Sequence, residues 1–239
     1  AEVIKRGDAV AMIAGGAEGA VTRMSIAAFA NSKALSSNND SETASRPFDI
    51  NRDGFVLGEG AGIMILEELE HARARGANII CEFLGYGQSA DAFHVTQPSE
   101  NGEGASRAME IALSKAAIDI DKVDYINAHG TSTPLNDKFE TMSMKKVFGE
   151  NAYSIPISST KSMVGHTLGA AGGIESVVTA LSIRDDKIHP TINLTHKDPD
   201  CDLDYVPDES REAPITIAMS NSLGFGGHNS SLVFSKHMG

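Results

Sequence analysis

Two histidines and a lysine are the side chains of this sequence best suited to chemistry on a carbonyl group. His129 follows the apolar run that opens "YINAHGTSTPLND", and Lys161 and His166 lie in "SSTKSMVGHTLGAAGG", a segment dominated by small residues. A neutral imidazole can donate one N–H to a carbonyl or enolate oxygen without bringing a charge, and the lysine adds a nearby cation. These residue types suggest a site that polarises a carbonyl.

The residues around His166 predict its protonation state. The pattern predicts a long helix over 167–184 that His166 and Thr167 open, with small residues in its first turn that indicate close packing. The positive end of a helix dipole disfavours an imidazolium, so we expect a neutral ring at physiological pH. A single histidine after a strand is more often a satisfied loop residue than a catalytic one, whereas two at one sheet edge favour catalysis.

A third unusual segment, "SNSLGFGGHNSS", places Phe225 among glycines. Glycines on both sides give the turn backbone freedom, so Phe225 could act as an apolar gate on a mobile turn. A hairpin turn with a buried phenylalanine explains the same residues equally well. The sequence leaves these two interpretations open.

Other kinds of site lack their residue patterns. Cys81 lies in an apolar run and Cys201 lies among acids, and neither has the cation or helix N-terminus that activates a thiol. None of the eight histidines has another within five residues, so no metal site is expected. "GEGAG" at 58–62 precedes a strand rather than a helix, which argues against phosphate binding, and no G-x-S-x-G motif occurs.

Periodicity predicts the elements that must position these residues. From Ala77 onward the expected order is β-α-β-α-β-α-β-β, with strands at 79–86, 123–128, 155–159, 215–219 and 230–235 and helices at 104–117, 137–148 and 167–184. Strands separated by helices predict a largely parallel sheet whose last pair turns back as an antiparallel edge. All three unusual segments follow strands, at the edge where ligands gather in open α/β sheets.

Residues 1–76 resemble the end of an earlier, similar half. A helix that stops at Gly7, a strand over 9–14 and a later strand in "GIMILEEL" echo the order around "TIAMSNSLGFGG". We therefore expect two units, 1–76 and 77–239. The first helix has no capping residue at its start, so we also expect further sequence upstream.

Composition excludes several partners. The chain has 239 residues, 41% of them hydrophobic, and a formal net charge of −12 from 20 basic and 32 acidic residues. No basic run favours nucleic acid, no apolar stretch approaches the roughly 20 residues that span a bilayer, and two cysteines make no disulfide framework. We expect a soluble protein of a reducing compartment, either the cytoplasm or an organelle matrix.

Four motifs together resemble the elongating β-ketoacyl-acyl-carrier-protein synthases, closest to the KAS II type. They are "SRPFDINRDGFVLGEGAG", "NAHGTSTPLND", "SSTKSMVGHTLGAAGG" and "NSLGFGGHNSS", in the family's order and across the whole chain. The resemblance implies an α/β thiolase-like fold, of which this chain would be the C-terminal half plus the end of the N-terminal half.

The resemblance also implies roles for particular side chains. His129 and His166 would be the histidines of a Cys-His-His site, and Lys161 the lysine that supports them. Phe29 would line the acyl pocket, Lys33 would meet the carrier protein, and Phe225 would gate the site. Thr131 and Thr133 would contact the pantetheine arm, and Asp137 and Glu175 would hold the geometry of the site.

The implied reaction is a decarboxylative condensation in which malonyl-carrier protein attacks an acyl-enzyme thioester. The partners would be acyl carrier protein with phosphopantetheine-linked groups and a second copy in a homodimer, joined through the absent N-terminal half; no cofactor is implied. The nucleophilic cysteine would lie shortly before Ala1, so this part alone is expected to be inactive.

Two other functions use a related fold. A chain-length-factor-like subunit of a polyketide or fatty-acid synthase lacks the cysteine, but such subunits usually lose the rest of the site, which this sequence retains. Thiolases carry a second cysteine in a glycine-rich C-terminal turn, and the corresponding "GFGGHN" has none.

Overall fold

The computed structural model, which describes residues 1–239, has three sheets, and one helix packs between the first of them and the largest. The strands are β1 Ala11–Glu18, β2 Gly60–Glu67, β3 Glu82–Ala90, β4 Tyr125–Asn127, β5 Ile157–Ser158, β6 Lys187–Ile188, β7 Arg211–Glu212, β8 Ile217–Gly224 and β9 His228–Ser235. The α-helices are α1 Glu2–Lys5, α2 Arg23–Asn31, α3 Leu69–Ala74, α4 Glu103–Ala116, α5 Pro134–Phe148, α6 Lys161–Val164 and α7 Ala171–Asp185, with 3-10 turns at Ile120–Lys122, Gly149–Tyr153 and Leu168–Ala170.

The central sheet has five strands in the order β3-β9-β8-β4-β5. Only β4, β5 and β8 run parallel, so the expectation of a largely parallel sheet was wrong. The turn 225–227 joins β8 to β9, and so short a connection can link only antiparallel neighbours. β3 then pairs antiparallel with the free side of β9 and becomes the edge, which places β9 inside the sheet.

The predicted order of the large elements is present, with shifted boundaries. β3 begins three residues later than the predicted start at 79 and runs to Ala90, and the short pair β6 and β7 was not predicted. The predicted helix over 167–184 is present as the 3-10 turn Leu168–Ala170 followed by α7, and α6 is a separate short helix before it. Gly165 and Leu168 have φ of 70° and 46°, and this left-handed backbone cannot continue a right-handed helix.

Apolar side chains cover both faces of the central sheet. On one face, Ile126, Met219 and Val233 pack in a large core with residues of α4 and α5. On the other face, Tyr125 and Phe234 pack in a smaller core with Ile183 of α7. The alternation along each strand therefore buries the sheet between helices.

Helix α7 also touches the β1-β2 sheet, and glycines make that contact possible. A Cβ atom added to Gly173 would lie 2.5 Å from Gly62 O and 2.6 Å from Gly16 N. The small residues at the start of α7 thus reflect close backbone packing, as the sequence indicated. The opposite face of this two-stranded sheet exposes Ile13, Ile63 and Ile65, at 76%, 55% and 71%.

None of the helices has the length and apolar character needed to cross a bilayer.

We predict that Gly173→Ala destabilises the fold, because the added methyl group meets backbone atoms that cannot move aside without shifting a strand. Overpacking of this kind costs about 1–3 kcal/mol of unfolding free energy. The matched control is Gly172→Ala on the same turn, where the nearest atom to the new Cβ, Ser222 Oγ, lies at 3.4 Å. Urea denaturation of the full gene product should separate the two variants; equal midpoints would contradict the close-packing argument.

Candidate active site

His129, Lys161 and His166 meet beyond the carboxyl ends of β4 and β5. His129 lies two residues after β4, and Lys161 begins α6, three residues after β5. The two imidazole centroids are 5.3 Å apart, and Lys161 Nζ is 3.2 Å from His129 Nδ1. His129 is buried, with 5% of its surface exposed, whereas His166 is partly exposed. The three residues proposed for catalysis from sequence are therefore in one cluster.

Hydrogen bonds determine which nitrogen of each ring carries the proton. A lysine ammonium has only donors, so His129 Nδ1 accepts from Lys161. The backbone N–H of Leu168 donates to His166 Nδ1 over 3.2 Å. Both neutral rings are consequently protonated on Nε2. Two N–H donors are free for a substrate oxygen.

Both rings are neutral at physiological pH. Burial, with the Lys161 ammonium beside it, lowers the pKa of His166 to about 3. Burial lowers the pKa of His129 well below its usual value, and Lys161 and His166 add to the effect. The neutral ring agrees with the sequence-based expectation, but the predicted cause was wrong: α7 begins only at Ala171, so His166 is not at the start of that helix.

A buried carboxylate orients the lysine. Glu175, on the second turn of α7, forms an ion pair with Lys161, and both side chains are almost fully buried. Burial raises the pKa of Glu175, while the ammonium partly offsets that rise. The pair aims the remaining ammonium protons at His129.

Two acids on α5 hold the loop that carries His129. Glu140 accepts hydrogen bonds from the backbone N–H groups of His129 and Gly130, at 2.7 and 2.8 Å. Asp137 accepts from the N–H of Thr131 at 3.0 Å. Asp137 was expected near the site and Glu140 was missed, although its spacing of three from Asp137 places both on one helix face.

Glu140 lacks a direct cationic partner. Burial raises its pKa to about 7, because the two backbone N–H groups only partly compensate for lost water. Its carboxylate therefore holds the loop at a cost in stability.

The proposed substrate-binding residues lie around the cluster at different depths. Thr131 Oγ1 and Thr133 Oγ1 are 2.8 Å apart on the His129 loop. Phe29 of α2 packs edge-on against Phe55, with centroids 5.4 Å apart, and Phe55 packs in the same way against His166 at 5.1 Å. Phe55 therefore packs between Phe29, the residue proposed for the acyl pocket, and His166. No sequence pattern indicated these contacts.

The other two candidates are exposed. Phe225 lies in the hairpin turn between β8 and β9 with 52% of its surface exposed, so the alternative of a buried phenylalanine was wrong. Lys33 lies exposed just beyond α2. The structure thus puts neither residue in the core.

The two cysteines are not activated. Cys201 lies in the larger core, and burial raises the pKa of its thiol to about 12. Cys81 packs against the smaller core, and burial raises its pKa to about 11. Neither thiol is a nucleophile at neutral pH.

Comparisons with known proteins identify the family to which the sequence is related. Residues 1–72 match the family model "Beta-ketoacyl synthase, N-terminal domain", and residues 80–195 match "Beta-ketoacyl synthase, C-terminal domain". The chain is 57% identical over 235 residues to 3-oxoacyl-[acyl-carrier-protein] synthase 2 of Staphylococcus aureus (strain COL) and 55% identical over 236 residues to that of Synechocystis sp.. Each match covers 98% of this chain and 57% of the relative's length.

Solved structures share the fold. A type II polyketide ketosynthase in the AntDE:AntF complex with its acyl-carrier protein superimposes with a TM-score of 0.97 at 44% identity, over 99% of this chain and 58% of that one. A beta-ketoacyl synthase from Burkholderia phymatum STM815 gives 0.92 at 44% identity, over 99% and 57%. The expected thiolase-like α/β fold is confirmed.

We predict that Glu140→Gln changes the pH dependence of stability. A carboxyl whose folded pKa is raised contributes stability that is complete below its unfolded value of 4.5 and is lost as pH rises through about 7. Wild type should therefore lose on the order of 3 kcal/mol relative to the glutamine variant between pH 4.5 and 8. Denaturation midpoints measured at several pH values check this.

The control for this prediction is Glu150→Gln, an exposed carboxyl just after α5. The denaturation midpoint of Glu150→Gln should follow that of wild type at every pH. Parallel curves for Glu140→Gln as well would mean that Glu140 titrates normally.

Proposed function

The chain belongs to the beta-ketoacyl synthase family, and on that basis we propose that its site catalyses the condensation step of a 3-oxoacyl-[acyl-carrier-protein] synthase. In this reaction a malonyl thioester on a carrier protein loses CO2 and attacks an acyl group held as a thioester on the enzyme. The bond to the carboxylate breaks, its electron pair forms the new carbon–carbon bond, and the enzyme thiolate leaves. The proposed activity is therefore that of an acyltransferase of fatty-acid synthesis.

The observation that carries the proposal is the pair of free Nε2–H donors on neighbouring neutral rings. Loss of CO2 from a malonyl thioester places negative charge on the thioester oxygen. Neutral N–H groups stabilise that oxyanion without transferring a full proton to it, and each preorganised donor contributes about 10²–10³ in rate. Because burial lowers the pKa of both imidazoles, the rings stay neutral and act as hydrogen-bond donors rather than as imidazolium acids.

We propose that the nucleophile comes from outside these 239 residues. The acyl-enzyme requires a thiolate, and the raised pKa values of Cys81 and Cys201 make both unsuitable. The greater length of the curated relatives supports this proposal. The exposed isoleucines of the β1-β2 sheet agree with further structure on that side.

The carrier protein is proposed as the partner. The AntDE:AntF ketosynthase is in complex with its acyl-carrier protein, and this chain shares its fold. We infer that Thr131 and Thr133 contact the pantetheine arm, Phe29 lines the acyl pocket, Lys33 meets the acidic carrier and Phe225 gates the entrance. A homodimer formed through other residues and a cytoplasmic or organelle-matrix location stay predictions.

A non-catalytic partner subunit is the second candidate, since structures sharing this fold include a ketosynthase/chain length factor pair. The contacts of the site favour the enzyme. A subunit without catalysis has no need for a buried ammonium placed between Glu175 and His129, because taking each ion of such a pair out of water costs several kcal/mol. Formation of an acyl-enzyme on the full gene product distinguishes the two candidates.

We predict that His166→Ala in the full gene product lowers malonyl-carrier decarboxylation by about 10²–10³ while acyl transfer to the nucleophile persists, since the ring acts on the enolate oxygen. Release of CO2 and formation of the acyl-enzyme are assayed separately. Equal losses in both half-reactions would refute this division of roles, and an enzyme without either activity in its wild-type form would refute the proposed function.

We also predict that Phe225→Ala leaves the melting temperature nearly unchanged but alters acyl-transfer kinetics. Truncating a buried phenylalanine costs about 3–5 kcal/mol, whereas Phe225 is half exposed in a glycine turn. Thermal unfolding and acyl and malonyl transfer rates are measured on the same preparation. A large drop in melting temperature with normal kinetics per folded molecule would show that Phe225 is a packing residue.

A further inference from the structure

Arg52 is a second buried cation near the His129 loop. Its side chain is 4% exposed. Its Nε donates to Thr133 O at 3.2 Å, Nη2 to Pro134 O at 3.0 Å, and Nη1 to Asp49 O at 2.9 Å and to Asp198 Oδ2. The Nε atom is also 3.6 Å from Asp137 Oδ2. One guanidinium therefore joins three segments that are distant in sequence.

The location of this cation is unfavourable for α5 alone. Thr133 and Pro134 begin that helix, and a positive charge at a helix N-terminus opposes the dipole. Asp137, in the first turn, and Asp198 offset this cost. Removing the arginine would conversely leave Asp137 buried without its cation. The buried charges of Arg52, Asp137 and Asp198 therefore stabilise one another.

The guanidinium is connected to both threonines of the proposed substrate-binding pair. It holds Thr133 through its carbonyl oxygen, and it holds Thr131 through Asp137, whose carboxylate accepts the Thr131 N–H at 3.0 Å. The hydroxyls of the two threonines are 2.8 Å apart. Lys161 by contrast contacts the loop at the His129 ring. The two cations therefore act at opposite ends of the same loop.

We propose that Arg52 is a positioning residue that sets the Thr131–Thr133 hydroxyl pair for the arm of a carrier-bound substrate. The inference rests on the proposed function. Because Arg52 acts on the threonines and Lys161 on His129, loss of the Arg52 contacts affects substrate binding more than the chemical step. A purely structural arginine would lower stability and leave the KM unchanged.

The test is Arg52→Lys in the full gene product, assayed for condensation with malonyl-carrier protein. Lysine keeps the charge but cannot make the forked contacts to Thr133 O, Pro134 O and Asp198 at once. Losing hydrogen bonds to a charged group should raise the KM for malonyl-carrier protein about tenfold, with a much smaller change in kcat. The matched control is Arg211→Lys, which weakens an arginine–aspartate pair with Asp204 outside the site.

Hydrogen exchange at the Thr131 amide provides a second readout. Exchange should be faster in Arg52→Lys than in Arg211→Lys, since Asp137 loses its fixed partner. If Arg52→Lys does not fold, Asp198→Asn, which removes one anchor of the guanidinium, should raise the KM in the same direction by a smaller factor. Unchanged KM and unchanged exchange in a folded variant overturn the proposal. An inactive wild type refutes the proposed function instead, and the exchange experiment then decides the role of Arg52.

Discussion

The arrangement of the site depends on one buried ammonium group. Moving an ion of this size out of water costs several kcal/mol, so Lys161 must find partners in the interior. It finds the Glu175 carboxylate and the Nδ1 lone pair of His129. The second contact fixes the tautomer of the His129 ring, and burial, with the lysine charge beside it, lowers the pKa of both histidines. The donor on His129 Nε2 is thus a consequence of where the cation is buried, whereas the backbone N–H of Leu168 sets the donor on His166 Nε2.

The fold has to bring three elements together to satisfy that cation. The loop after β4 supplies His129, α6 supplies Lys161 and α7 supplies Glu175. Helix α7 lies between the central sheet and the β1-β2 sheet. Glycines of α7 and of the β1-β2 sheet let the backbones of these elements approach closely. Packing of small residues of α7, β1 and β2 therefore determines the position of the carboxylate that orients Lys161.

Two buried carboxylates, of Asp137 and Glu140, hold the loop that carries His129, but only one buried arginine, Arg52, lies beside it. Burial raises the pKa of both carboxyls; Asp137 has Arg52 as a partner, while Glu140 has only two backbone N–H groups. A loop held by charged side chains has few alternative conformations, because any movement leaves a buried charge without its hydrogen bonds. Stability is lost at Glu140, and a rigid loop is obtained in return.

The sequence by itself determined the order of the large elements, the two histidines beyond the strand ends and the family, because periodicity and short motifs are local properties. It also indicated neutral histidines and close packing at α7. Only the tertiary structure decided the roles of contacts between distant residues. Glu140 and Phe55 are ordinary in sequence, and Arg52 meets Asp198 across 146 positions. The break at Leu168 and the interior place of β9 likewise depend on packing, which no local pattern encodes.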